Sequence, residues 1–185
     1  MGSAYYMRKH GFTLVELLVV LAVIAMLAAA FGGSIYSSVI EKTHLTAAIS
    51  SADTIAKGLQ TYSLNNSKFD FASVDELKTK LKNLYADYDA VWPWDNTKTM
   101  FDMISGMYIP SDDPQSIAVW WALPKAANTV AARQKDAQTA CSSVIPGFTN
   151  PSGATGNYVL YLKVSSNPNA DATQRKVIGI CKIGG

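Results

Sequence analysis

Gly11-Phe12-Thr13-Leu14-Val15-Glu16-Leu17-Leu18-Val19-Val20-Leu21-Ala22-Val23-Ile24-Ala25-Met26-Leu27-Ala28-Ala29-Ala30-Phe31 is the stretch on which the fold turns. From Phe12 to Ile40 the only charged side chain is Glu16. At about 1.5 Å of rise per residue, a helix over this span is about 40 Å long and can cross a hydrocarbon core of about 30 Å. Arg8, Lys9 and His10 precede it, and the next basic residue is Lys42. The positive-inside rule then leaves the N-terminus in the cytoplasm and sends the remainder outward.

Glu16 is out of place in such a span. A carboxylate in lipid costs about 3 kcal/mol or more, and such residues persist when they have a partner. Cutting the chain between Gly11 and Phe12 would create an α-ammonium one helical turn before Glu16. The two groups would be i and i+4 neighbours, or would pair between adjacent copies of the helix.

The hexapeptide Gly11-Phe12-Thr13-Leu14-Val15-Glu16, after a short basic leader and before an apolar helix, closely resembles the class III signal of type IV pilins and type II secretion pseudopilins. The resemblance is dense over residues 8–31 and only architectural beyond. It implies cleavage by a prepilin peptidase after Gly11, N-methylation of Phe12, and a role for Glu16 in registering each incoming subunit of a filament. The alternatives are an ordinary signal anchor with one tolerated Glu, and a Sec signal peptide. The latter should carry its cleavage site after the apolar run, yet 28–31 leads straight on into helical pattern.

The chain has 185 residues, room for one membrane helix and one modest head. Its 49% hydrophobic content is raised by the N-terminal span. Sixteen Lys and Arg face fourteen Asp and Glu; without the leader's Arg8 and Lys9 the balance is zero, so charge implies no nucleic-acid partner. Residues 1–11 read as leader, and Met7 is an alternative start. Cys141 and Cys181 both belong to the part expected on the oxidising side. They allow a single intramolecular pairing, and no Cys or His stands at ligand spacing for the rival reading as a metal or catalytic thiol.

Outward from the apolar run, 12–40 is expected as the transmembrane and assembly helix, and 41–65 as the amphipathic half of the same spine. Gly32-Gly33 falls between, where two glycines weaken a helix by about 1 kcal/mol each. Many pilins have a helix-breaking proline near this point, so the pair is expected to supply flexibility; close helix packing is its other use. Leu45, Ala48, Ala52, Ile55, Leu59 and Tyr62 recur at three- and four-residue steps, one apolar stripe. Lys42, Thr46, Ser50, Asp53, Lys57 and Gln60 fall on other faces, and 65–67 stops the helix.

Residues 66–116 read as a connector. Ser73-Val74-Asp75-Glu76 is a capping box opening a helix to about Ala86, with Lys78, Lys80 and Lys82 on a solvated charged face rather than a basic patch. Residues 92–95 are expected as a turn with exposed or half-buried tryptophans, followed by a short helix over 98–104. The sheet and disulfide-bounded region is placed at 117–185. There 117–123 is a strand whose Trp120 and Trp121 point to opposite faces, one on the spine and the other exposed or at a subunit contact. Residues 125–140 are expected as an Ala-rich helix delivering Cys141, and 157–164 with 176–183 as a hairpin. The implied fold class is α+β: a long helical spine on a small antiparallel sheet with extra short helices, pilin-like.

No nucleophile elbow, His-Glu metal motif, phosphate loop or CxxC occurs, so no catalytic residue and no cofactor is expected. His44 reads as a polar surface residue. Asp112 and Asp113 in a Pro-rich turn offer a calcium alternative. The resemblance implies a subunit of a homo-oligomeric filament, held first in the inner membrane and assembled by a platform and ATPase machinery. A type II secretion pseudopilin, a minor tip pilin that binds a ligand and a membrane-tethered enzyme are the rivals.

Overall fold

The computed structural model describes residues 13–82 and 90–184, including all of their side chains except those of 30–35. The chain divides after Val39 into two units. The first contains the start of helix α1, Leu14–Asn66, whose backbone runs unbroken through Gly32 and Gly33.

In the second unit, Leu45, Ala48, Ala52, Ile55, Leu59 and Tyr62 are all buried, as the stripe requires. α1 ends at Asn66, where Ser67 takes a φ of 61°. Helix α2, Val74–Lys82, follows, with Leu77 and Leu81 buried. Its cap differs from the expected box in one bond. The Ser73 hydroxyl accepts from the Glu76 amide at 3.2 Å, but the Glu76 carboxylate reaches back to the Ala72 amide, at 2.7 Å, rather than to Ser73. The end expected near Ala86 lies outside the described residues.

Strands β1, Val91–Trp92, and β2, Asp95–Thr99, form a small antiparallel hairpin. The turn at 93–94 is present, but Trp92 is buried and only Trp94 is half-exposed. The helix expected over 98–104 is a strand end plus a single turn. The Asp102 carboxylate accepts from the Thr99 amide and hydroxyl, and the Thr99 hydroxyl accepts from the Asp102 amide. That cap starts a turn which cannot propagate, because the Ser105 amide is taken by the Trp120 carbonyl of the sheet.

The main sheet has the order β3-β4-β5-β6, all antiparallel: Gly106–Tyr108, Ser116–Ala122, Tyr158–Ser165 and Lys176–Lys182. Alternation sorts its side chains cleanly. Ile117, Val119, Trp121, Leu160, Leu162 and Ile180 join the core that holds the α1 stripe. Ala118, Trp120, Val159, Tyr161 and Cys181 join a second cluster with Cys141 and Ile145. The two tryptophans do point apart, but Trp120 is not exposed. At 1% exposure it is covered by the chain after the disulfide, with the Phe148 ring 5.6 Å away. Gly106 belongs under that ring, since a Cβ there would come within 2.4 Å of it.

The Ala-rich helix is not formed as expected. Residues 125–140 contain a 3-10 turn, Lys125–Ala127, one α-turn, α3, Asn128–Ala131, and then turns. Alanine propensity is a weak preference, and packing overrides it here. Ala127, Ala131 and Ala137 are fully buried, and Asp136 takes a left-handed φ of 64° that breaks the helical path. The Asn128 side-chain oxygen also accepts from the Asn157 amide, tying α3 to the start of β5. Helix α4, Cys141–Val144, then begins at the disulfide.

Candidate assembly site on the first helix

Thr13 and Glu16 open α1 with a reciprocal cap. The Glu16 Oε2 accepts from the Thr13 amide and hydroxyl, both at 2.9 Å, and the Thr13 hydroxyl accepts from the Glu16 amide at 3.2 Å. This is a capping box, Thr-x-x-Glu, with Thr13 as N-cap and Glu16 at the third helical position. It satisfies two of the backbone amides a helix leaves free, and puts the carboxylate at the positive end of the helix dipole. The charge argument had found Glu16 and missed Thr13, although the spacing signals it. Gly11 and Phe12 lie outside the described residues.

After the cap, the side chains at 14–29 have no inward face. Large apolar residues there stand 50–79% exposed in this chain by itself. A helix that is apolar all round needs an apolar environment on every side. Among the described residues no helix is long and apolar enough to cross a membrane. The run with described side chains, 14–29, is about 24 Å long against the about 30 Å of a bilayer core. Ala30 and Phe31 continue it in the sequence.

The other residues singled out by sequence are scattered. Cys141 and Cys181 form a disulfide, buried at both ends, that joins the start of α4 to β6. Asp113 is held in a turn: its carboxylate accepts from the Ser116 hydroxyl at 2.5 Å and its carbonyl from the Ser116 amide. Among the described residues no group of three or more His, Cys, Asp or Glu gathers to hold a metal ion. Asp112 is exposed beside it.

His44 is half-buried rather than on the surface. It stands edge-on to Trp94, 5.8 Å between ring centres, and its Nδ1 is enclosed without a hydrogen-bond partner. The Trp94 indole donates to Glu41 at 2.7 Å, so α1 and the β1–β2 turn are joined by a polar bond. Further along α1, Asp53 accepts from Lys176 of β6 at 2.7 Å and pairs with Lys57 at 3.1 Å. These bonds, Lys176 first and then Lys57, hold the Asp53 carboxyl below the usual carboxylate range. Tyr62 donates to Asp70, which Lys80 also reaches at 3.2 Å; the Tyr62 bond is the larger cause of the lowered Asp70 carboxyl. Lys78 and Lys80 pair with acids of their own helix, which fits the solvated-face reading.

Residues 6–32 match the family model described as the prokaryotic N-terminal methylation motif. The chain thus carries a type IV prepilin-like class III signal, on an α+β fold that is pilin-like. The motif implies processing by a prepilin peptidase and a pilus-type assembly machinery in general. No curated protein and no solved structure matches the chain.

Proposed function

We propose that this chain is the major structural subunit of a type IV pilus. It is cleaved after Gly11, methylated at Phe12, stored in the inner membrane, and polymerised through α1 into a homo-oligomeric surface filament for adhesion, motility or DNA uptake. The observation that carries this reading is a run apolar on every side, 14–29, interrupted only by a Glu16 held in a cap within the methylation motif. Neighbouring helices replace the missing inward face, and the Phe12 ammonium of one copy meets Glu16 of itself or the next. Gly32 and Gly33 let the helix adjust as subunits pack. The role is structural: the energy comes from an assembly ATPase, and no reaction is catalysed.

Mass spectrometry of filaments sheared from cells tests the proposal. The expected result is this chain as the dominant species, its N-terminal peptide beginning at methylated Phe12. A cleaved chain that stays in the membrane fraction would transfer it to the pseudopilins. A cleaved chain present in trace amounts would make it a minor, ligand-binding subunit. An uncleaved chain would overturn the reading altogether.

A further inference from the structure

On the sheet face that carries Trp120, a cleft of about 250 Å³ opens between the end of β3, the start of β4 and the end of β5, bordered by the β3–β4 and β5–β6 loops. It is lined by Tyr108, Asp113, Ser116, Lys163, Ser165 and Gln174, among others. Its polar groups fall into two sets. Asp113, Ser116 and Ser165 form a chain: the Ser116 hydroxyl lies 2.5 Å from the Asp113 carboxylate and 2.8 Å from the Ser165 hydroxyl, which in turn accepts from the Asn167 amide at 3.3 Å. That chain presets Ser116 as donor to the carboxylate, and among the described residues the other Asp113 carboxylate oxygen accepts no hydrogen bond. Lys163 is half-buried near the end of the inner strand β5, and among the described residues no carboxylate stands within 4.0 Å of it. The side-chain amide of Gln174 likewise makes no hydrogen bond among the described residues, while its backbone N–H donates to the Asp171 carbonyl. One cleft thus holds a cation, an anion and an amide, each with capacity to spare and none paired with another.

We propose that this cleft binds a neutral, hydroxyl-rich ring ligand, a single saccharide unit. The opposed charges of Lys163 and Asp113 give the cleft no preference for net charge. Each hydroxyl of a sugar can accept from the ammonium and donate to the carboxylate, so one ring can bridge groups that stand more than 4.0 Å apart. The Tyr108 ring supplies an apolar wall for the C–H face. The volume lies just below the about 300–1,000 Å³ usual for small-molecule sites, which suits one ring and not a longer chain.

The test is saturation-transfer NMR on the full chain in a sugar-free detergent. The probes are methyl glucoside, methyl galactoside and N-acetylglucosamine, with acetate and glycine as anionic and zwitterionic controls. At least one neutral sugar should bind with a Kd of about 1 mM. Lys163→Met and Ala170→Trp, the second placed in the rim to fill the cleft, should each weaken it at least tenfold while leaving thermal unfolding unchanged. The proposal fails if no neutral sugar binds, if acetate or glycine is preferred, or if the sugar still binds to both variants. Should Lys163→Met unfold the chain, Gln174→Ala on the exposed rim serves as the third variant, with a smaller loss expected.

Discussion

Between residues 14 and 29 of α1 every large apolar side chain is at least half exposed, from Val23 at 50% to Leu14 at 79%; along 45–62 of the same helix, the six stripe residues are at 5% or less. Both stretches contain Leu, Ile and Ala. The difference lies in arrangement: the second interleaves its apolar positions with Thr46, Ser50, Asp53, Lys57 and Gln60, so that one face can meet the sheet. The first has no polar side chain after Glu16 until Ser34, so nothing selects a face. One stretch is specified by its own chain, and the other is specified by whatever surrounds it.

The largest effect expected from breaking this contrast lies in the second cluster of the head, which holds the disulfide. Removing the disulfide with Cys141→Ser and Cys181→Ser opens a link across 40 residues and should cost about 4 kcal/mol in the chain-entropy model. Denaturant unfolding followed by tryptophan fluorescence would read this loss. An unchanged midpoint would mean that the second cluster stands without the bond.

Next comes a pair of matched truncations. Leu59→Ala, at a fully buried position, should cost about 2–5 kcal/mol of head stability. Leu21→Ala, at a position 58% exposed, should leave the same unfolding curve in place and, under the filament reading, lower the yield of sheared filament instead. If both variants shifted the curve equally, the two stretches would not be independent.

Thr13→Ala should cost about 1 kcal/mol of local helix stability by removing the cap. Under the filament reading it also frees Glu16 from its own chain, and Glu16→Ala should abolish fibres while leaving membrane insertion intact. Abundant normal fibres from Glu16→Ala would remove the pairing idea.

The smallest effect is the pH dependence contributed by Asp53. Its carboxyl is lowered in the folded chain, so its contribution is fully present above the unfolded value of about 3.9 and is lost as pH falls through the folded value. Asp53→Asn should therefore lower stability at neutral pH by at most about 1 kcal/mol, since the pair is partly exposed, and flatten the acid limb of the stability curve below about pH 4.

Much of this architecture could be read from sequence because its signals are local or periodic. The stripe, the hairpin of β5 and β6, the Ser73 cap and the opposed pair of Trp120 and Trp121 each follow from spacing. The pairing of Cys141 with Cys181 needed only arithmetic. The failures share a cause, which is dependence on distant contacts. The strand 95–99, Asp-Asn-Thr-Lys-Thr, has no apolar alternation and is held by pairing with 91–92 above a buried Trp92. The alanines of 125–140 look helical until their burial sites are known. Trp120 is covered by Phe148, twenty-eight residues later and invisible to any window. Thr13 is legible too, since Thr-x-x-Glu is a local capping pattern, although charge alone singles out only Glu16.

The two rims of the sheet have a further consequence. An unpaired strand rim is a template on which another chain can lay down a strand, the route to cross-β aggregation. Here β3 is three residues long, too short to recruit much. β6 carries Lys176 and Lys182 at its ends; the Lys182 amide is taken by Thr139, with a parallel bridge between Ala140 and Lys182. Lys176 is bound to Asp53 of α1. Under the filament reading, which demands a high local concentration of subunits, the main sheet thus offers little purchase for strand addition and leaves helices as the route to ordered growth.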